Sequence, residues 1–402
     1  MEEVLSECLT TPVTEQYDVA VCGGGFGGIS AALAAARMGK KTVLFEREFM
    51  LGGLGTAGLI TIYLPICDGM GHQVSFGIAE ELLRLSISMG AEARYPANWL
   101  DGIGTRTEND LRFAVRYNPH IFAILAEQLL IKEGVEILYG TQILNVAMEG
   151  NKISHLIYQN KTGRQACKVY SVVDATGDCD IASFAGAPTE NFQQGNILAS
   201  WYYYVDKNGY NLQQLGCAEP PKEEQTESNK QQLLLDRRFT GLDGKELSEM
   251  TVFSHASILN HLKTARKDDP GMWPVTIASI PQVRMTRKIV GEYTLSQAED
   301  KVYFEDSIGM VSNWKKRGPI YEVPFRTLYS RKVKNLIAAG RCTCVTETLW
   351  DVMRVIPCCA VTGQAAGTAA AMTDDFTTLS VPQLQEQLVK DGVVLHVSDV
   401  LK

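Results

Sequence analysis

The apolar run Val19-Ala20-Val21-Cys22 leads into a glycine-rich turn, then an alanine-rich stretch from Ile29 to Arg37. A second apolar run, Thr42-Val43-Leu44-Phe45, ends on Glu46. This order predicts strand, turn, helix and second strand over about residues 15 to 60. Ile78, Leu82, Leu83 and Leu85 predict a helix over 77 to 90. From Ala91 to Tyr117 the pattern breaks around Pro96 and Trp99, so residues 91–117 are expected to form an excursion over a functional site. Ile121, Phe122, Leu125, Leu129 and Leu130 share a helical face over Pro119 to Glu133, which Gly134 ends. Strands are expected over Gln142 to Met148, Lys152 to Gln159 and Gln165 to Val173, with Asn151, Asn160 and Gly163 at the turns.

Past residue 188 the pattern changes. Trp201-Tyr202-Tyr203-Tyr204 reads as an aromatic strand, Pro220 to Lys230 as a polar exposed stretch, and Lys245 to Arg266 as helix. Arg284 through Leu295 carries a mixed helical pattern. Buried-strand character returns at Val333 to Ala338, and Pro357 stands at the start of a final helix rich in Gly and Ala. The small residues of that helix let it lie close to a sheet or a bound cofactor. The expected fold is α/β: a Rossmann-like domain in two parts, 15–188 and 320–402, with an inserted α+β domain at 189–319.

A chain of 402 residues with 45% hydrophobic and 21% charged residues has the composition of a globular protein of two domains. The net charge of -8 and the lack of a basic cluster argue against a nucleic-acid partner. Lys315-Lys316-Arg317, the densest basic run, is expected in a solvated loop. Neither a basic-then-apolar leader nor an apolar run of ~18 residues is evident, so the expectation is a cytoplasmic protein with no membrane partner. The ten cysteines are scattered, without C-x-x-C, which predicts reduced, mostly structural thiols and no metal site.

Chemistry is concentrated at the glycine turn. Gly23, Gly25 and Gly28 fit G-x-G-x-x-G, in which the glycines give a tight turn, backbone approach to a pyrophosphate, and close helix-to-strand packing. The helix N-terminus behind them offers unpaired N–H groups to phosphate. A carboxylate at Glu46 suits the two hydroxyls of an adenosine ribose and repels a 2′-phosphate. Three more segments end strands on small residues: Leu51 to Gly58, Asp174-Ala175-Thr176-Gly177-Asp178, and Ala338-Ala339-Gly340-Arg341 before the final helix. One extended cofactor touching all four accounts for their spread, which favours FAD over NAD.

With Gly363-Gln364-Ala365-Ala366-Gly367, Arg284 to Arg287 and Tyr321 to Arg326, these segments resemble FAD-dependent oxidoreductases. More narrowly, they resemble the bacterial FAD-dependent oxidoreductase family related to fumarate reductase and succinate dehydrogenase flavoproteins, within the glutathione-reductase-like superfamily. The resemblance implies non-covalent, extended FAD with its ring where the two domains meet. Gly23, Gly25, Phe26 and Gly28 would hold the pyrophosphate, Glu46 and Arg47 the adenosine, and Gly52, Gly53 and Thr56 the flavin side. Ala175, Thr176, Gly177, Gly340, Arg341, Gly363 and Gln364 would complete the site, with the final helix aimed at the ring. No redox cysteine pair follows Gly52-Gly53 and no second glycine fingerprint serves NADPH, which argues against a disulfide reductase.

Catalytic candidates are His72, a general acid or base in a loop, and Arg287 and Arg354, whose guanidinium groups clamp carboxylates or stabilise an oxyanion. Arg326 belongs to the same class. Trp201 to Tyr204 are expected either to floor a substrate pocket or to pack a core. Cys358 and Cys359, at a helix start, are expected to be packing residues rather than reactive thiols. The expected function is hydride transfer between flavin N5 and a small organic substrate, anionic if the arginines bind it, with an unidentified electron donor or acceptor. The alternative is a flavin-binding electron-transfer subunit acting with a partner protein.

Overall fold

The computed structural model describes residues 4–92, 99, 110–217, 219–230 and 232–401. Residues 93–98 and 100–109, most of the expected excursion, lie outside the described residues.

Val13–Cys22 is the central strand of the main sheet. Parallel to it run Thr42–Phe45 and then Glu136–Leu138 on one side, and Gly163–Asp174 on the other. Gly163–Asp174 is long enough to serve two partners on its far edge. Its first half pairs antiparallel with Lys152–Asn160, which pairs with Gln142–Glu149. Its last residues pair parallel with Leu336–Ala338. Three predicted strands thus form an antiparallel meander whose last member continues into the parallel sheet.

Side chains alternate across a strand, so the central strand feeds two cores. Val19 and Val21 join Ile29, Leu33 and Ala366 on the face covered by helices. Ala20 and Cys22 join Val43, Leu156 and Val172 on the face covered by the meander. Burial on both faces explains why the strand reads as a continuous apolar run.

On the helical face, Phe26–Arg37 lies against Ile356–Met372. A Cβ on Gly363 would stand 2.2 Å from the Gly27 carbonyl oxygen, and one on Gly367 2.1 Å from that of Ala31. The small residues of the final helix therefore serve backbone-to-backbone contact with another helix.

The inserted unit has cores of its own. Tyr202–Asp206 lies between Gly209–Gln213 and Trp273–Ile277, and the helix Gly244–Ala265 packs Ile258 and Leu262 against Tyr202 and Met272. The Asp243 carboxylate caps that helix by accepting from the Glu246 N–H. Two expectations need correction. Arg284 to Leu295 is not helical: Arg287–Ile289 is a strand paired with Thr189–Asn191, because tertiary pairing decides short mixed runs. Ser307–Ser312, expected in the insertion, pairs with Ile320–Pro324, and its Ile308 and Val311 join the main core.

Gly367→Ala is expected to lower stability by ~1–3 kcal/mol through overpacking against the Ala31 carbonyl. Gly244→Ala, which meets open space at a helix start, should leave the melting temperature unchanged or higher. Thermal denaturation of the two variants beside the parent checks both.

Candidate functional site

Parallel strands end at one edge, so Cys22, Phe45, Asp174 and Ala338 deliver their following residues to one place. There they border a cavity of about 420 Å³. Small-molecule and cofactor sites span ~300–1,000 Å³.

Gly23 turns at φ +103° and lies so close to Ala175 that a Cβ would stand 2.5 Å from its carbonyl oxygen. Gly28 is absent from the cavity wall; a Cβ there would stand 1.8 Å from the Gly23 carbonyl oxygen. Its task is to let the helix begin directly against the turn. Gly25, by contrast, borders the cavity and meets no atom within 4 Å. Phe26 and Gly27 border it too, and their N–H groups precede the first intrahelical bond, Ile29 N–H to Gly25 carbonyl. The Phe26 ring points the other way, stacked on Phe122 at 4.5 Å.

The wall carries a buried carboxylate. Glu46 is only 6% exposed; its Oε2 accepts from the Gly24 N–H at 2.7 Å and its Oε1 from the Glu48 N–H at 2.8 Å. Burial raises its pKa, and these two N–H donors oppose the rise. Each oxygen keeps a lone pair for a ribose hydroxyl. Arg47 borders the cavity with its side chain half exposed. Thr141, Gln142 and Ile143, at the start of the meander, also form wall here. Sequence reasoning missed them, because they are ordinary strand residues brought in by the fold.

The middle is organised by buried Asp174. It accepts from the Thr176 hydroxyl at 2.6 Å, the Thr176 N–H at 3.2 Å and the Ala182 N–H at 2.9 Å. That holds Ala175, Thr176 and Gly177 along the wall. Gly177 is required because the Arg341 guanidinium lies over it: a Cβ would be 2.4 Å from Nη2. Arg341 in turn donates to the carbonyls of Val283 and Arg284 at 2.8 and 3.1 Å and pairs with Asp178.

Gly52, Gly53, Leu54, Gly55, Gly340, Arg354, Ile356 and Cys359 complete the wall. Arg354 donates from Nε to Asp351 at 2.8 Å, and the same carboxylate holds Lys315. Asp351 is buried, yet Arg354 and Lys315 keep its pKa below the ordinary value. Lys315, expected in a solvated loop, is thus part of a buried ion network. The helix Ile356–Met372 begins at this wall, with Pro357 inside its first turn.

Several sequence candidates lie elsewhere. Arg287 donates to Asp180 at 2.6 Å, Ser183 at 3.0 Å and the Asp178 carbonyl at 2.9 Å, and is not on the wall. It holds the turn after Asp174 in place. His72 pairs with Asp68 at 2.9 Å in a surface loop away from the cavity, its side chain 39% exposed. The Thr56 hydroxyl donates to the Leu51 carbonyl at 2.5 Å and braces the glycine loop from behind. Gly363 is a helix–helix contact. Gln364 accepts from the Ile78 N–H at 2.8 Å and so anchors the helix Ile78–Ile87 instead of a cofactor. Arg326 is taken by Asp306. Burial raises the Cys359 thiol to about 12 and Cys358 well above its usual value, which leaves no thiolate at neutral pH. Tyr202 packs in the inserted unit, whereas Tyr203 stacks on Tyr210 and its hydroxyl meets Thr61 at 2.6 Å and Glu92 at 2.9 Å.

An open glycine at a helix N-terminus, a buried carboxylate and the arginines on one cavity wall fit FAD: diphosphate, ribose hydroxyls and flavin each meet a suitable group. This is the site of a flavin-dependent enzyme. The family model described as FAD dependent oxidoreductase matches residues 18–201 and 193–388, and the chain belongs to that family. Among curated proteins, thioredoxin reductase of Ureaplasma parvum serovar 3 is 30% identical over 79 residues, 20% of this chain and 26% of that protein. Thiamine thiazole synthase of Desulfosudis oleivorans is 29% identical over 163 residues, 40% of this chain and 56% of that protein. The tRNA uridine 5-carboxymethylaminomethyl modification enzyme of Aquifex aeolicus is 64% identical over 33 residues, 8% of this chain and 5% of the enzyme. The matches thus span about half or less of these relatives' lengths. Among solved structures, p-nitrophenol 4-monooxygenase from Pseudomonas putida DLL-E4 has a TM-score of 0.49 at 13% identity, covering 94% of this chain and 84% of that one. A geranylgeranyl bacteriochlorophyll reductase-like protein from Thermoplasma acidophilum has 0.47 at 15%, covering 94% and 83%.

Glu46→Ala should weaken FAD binding roughly ten- to a hundred-fold, the worth of ~1.5–3 kcal/mol of charged hydrogen bonds. Titration of apoprotein with FAD checks this. Unchanged affinity would remove Glu46 from the ribose.

Proposed function

We propose that the protein binds FAD non-covalently and passes a hydride between flavin N5 and a small organic substrate, oxidising a C–OH or C–N carbon or reducing an activated double bond. The observation that carries this reading is that one cavity is bordered by the Gly23–Gly27 turn and helix start, the buried Glu46 carboxylate, Arg354 and the start of Ile356–Met372. When bound, FAD supplies the hydride donor or acceptor.

The chain's own residues do the rest. Phe26 and Gly27 present N–H groups to the diphosphate, and Glu46 accepts from the ribose. The helix start and Arg354 hold a positive potential where negative charge develops on reduction. Leu54, Ile280, Pro281, Val283 and Ile356 give the wall an apolar lining that limits water. Ile280, Pro281 and Val283 come from the inserted segment, which supports its role as the substrate unit. We place that unit at about 192–286, shorter than the sequence pattern suggests, since residues from 287 onward pair with or pack on the main domain. The glycine turn and meander support placement in the glutathione-reductase-like superfamily, and the motif segments support kinship with fumarate reductase flavoproteins. Ten free cysteines suit a reducing, cytoplasmic compartment.

Purified protein is expected to be yellow, with one FAD per chain released unchanged by acid. A colourless protein that takes up no added FAD would overturn the reading, and colour retained in the acid precipitate would overturn non-covalent binding. Anaerobic mixing with a panel of hydroxy acids, amino acids and enoates is expected to bleach or reoxidise the flavin. Bleaching by dithionite alone, with turnover restored by an added protein, would favour an electron-transfer subunit.

A further inference from the structure

Among the wall residues Ile280, Pro281 and Val283 sits a glutamine that does not border the cavity and is only 4% exposed. Gln282 ties the inserted unit to the main domain. Its Nε2 donates to the Gly58 carbonyl at 2.6 Å, and its Oε1 accepts from the Trp201 N–H at 2.9 Å, just ahead of the strand Tyr202–Asp206. Gly58 offers an acceptor and Trp201 a donor, so one carboxamide in one orientation satisfies both. An apolar side chain satisfies neither, and buried backbone groups are rarely left without partners.

Gly58 is the rear of the glycine loop. Its N–H donates to the Gly53 carbonyl at 3.1 Å, and a Cβ on it would stand 2.8 Å from the Leu54 Cα. Gly53 and Leu54 border the cavity, so the amide of Gln282 is connected to the wall on both sides. A second strut runs alongside, from the Ser279 N–H to the Ala57 carbonyl at 2.9 Å. Beyond Gln282, Arg341 donates to the Val283 carbonyl at 2.8 Å. The stretch 280–283 is thus held at one end by the glycine loop and at the other by Arg341. The inserted unit does not owe its own folding to these bonds. It packs Leu198, Phe239, Met250 and Val283 in one core, and Tyr202, Ile258, Leu262 and Met272 in another. What the bonds add is the seating of that unit on the loop.

We propose that Gln282 is a positioning residue that sets the gap between the glycine loop and the inserted unit, and with it the seal that keeps water from the flavin. This rests on the FAD reading above. The carboxamide is planar and both its partners are backbone groups, so the gap is fixed by the length of one side chain. Leu54, Ile280, Pro281 and Val283 form the surface that meets the ligand, and Gln282 acts through them. The inserted unit is then a wall clasped to the loop, and a substrate has to fit the slot that the clasp leaves.

The test uses FAD-loaded protein, with flavin absorbance to report water at the ring and amide hydrogen exchange to report opening of the clasp. In the parent, the long-wavelength flavin band should show the resolved shoulder of a ring kept from water. Gln282→Leu should lose that shoulder, and exchange in 53–60 and 279–283 should quicken about tenfold, the worth of one buried hydrogen bond. Gln282→Glu serves if the leucine variant does not fold. Protonated in acid, its carboxyl donates to Gly58 and accepts from Trp201 as the amide does; ionised in alkali, it sets a charge against the Gly58 carbonyl. Its spectrum should therefore match the parent's in acid and lose the shoulder in alkali. Ile258→Ala, which weakens a core of the inserted unit without touching the clasp, should keep the shoulder. A parent without the shoulder, Gln282→Leu with it, a pH-independent Gln282→Glu, or equal loss in Ile258→Ala would overturn the proposal. Exchange reads the clasp in flavin-free protein, so a chain that takes up no FAD sinks the FAD reading and leaves this outcome separately readable.

Discussion

The contact on which the site depends is backbone against backbone. Gly28 lets the first helix begin on the Gly23 carbonyl, and Gly363 and Gly367 let the last helix lie on the carbonyls of Gly27 and Ala31. The first helix is therefore clamped between the sheet and a segment from the far end of the chain. Its N-terminus cannot drift, so its free N–H groups stay aimed at one point. The same clamp sets the start of the last helix beside that of the first, where a Cβ on Gly27 would stand 3.4 Å from the Cys359 carbonyl oxygen, so both helix termini are set by one packing arrangement.

Charge is distributed with equal economy. Buried Asp174 accepts three hydrogen bonds and shapes a turn; buried Asp351 holds two cations and shapes another part of the wall. Neither faces ligand as a free acid. Each carboxylate uses its charge to organise other groups, while Glu46 keeps acceptor capacity on the cavity wall.

Glycine turns, the strand ends and the approximate helices were legible in the sequence because each is a local device: a turn, a period, a terminal acid. Glu46 was legible for the same reason, as the residue closing a strand. The roles of the arginines were not. Arg287, Arg326 and Arg354 share one chemistry, and their partners are far away in the chain or hidden in local geometry. Only the folded arrangement shows that Arg287 braces Asp180 and that Arg284 Nη1 is buried with no hydrogen-bond partner among the described residues. Gln364 misled for a related reason: its small-residue context suggested ligand approach, whereas its amide caps a helix from another part of the chain. Thr141 to Ile143 had no signal at all, since any residue whose backbone reaches that wall can serve.

The clamp also orders events during synthesis. The Phe26–Arg37 helix emerges early, yet the helix that covers it, Ile356–Met372, is made only after the inserted unit is complete. Until then an alanine-rich apolar face and half of the parallel sheet await their partner, the situation in which nascent chains recruit chaperones. Closure of the glycine cradle thus waits on residues 356–372, however early its first half is made.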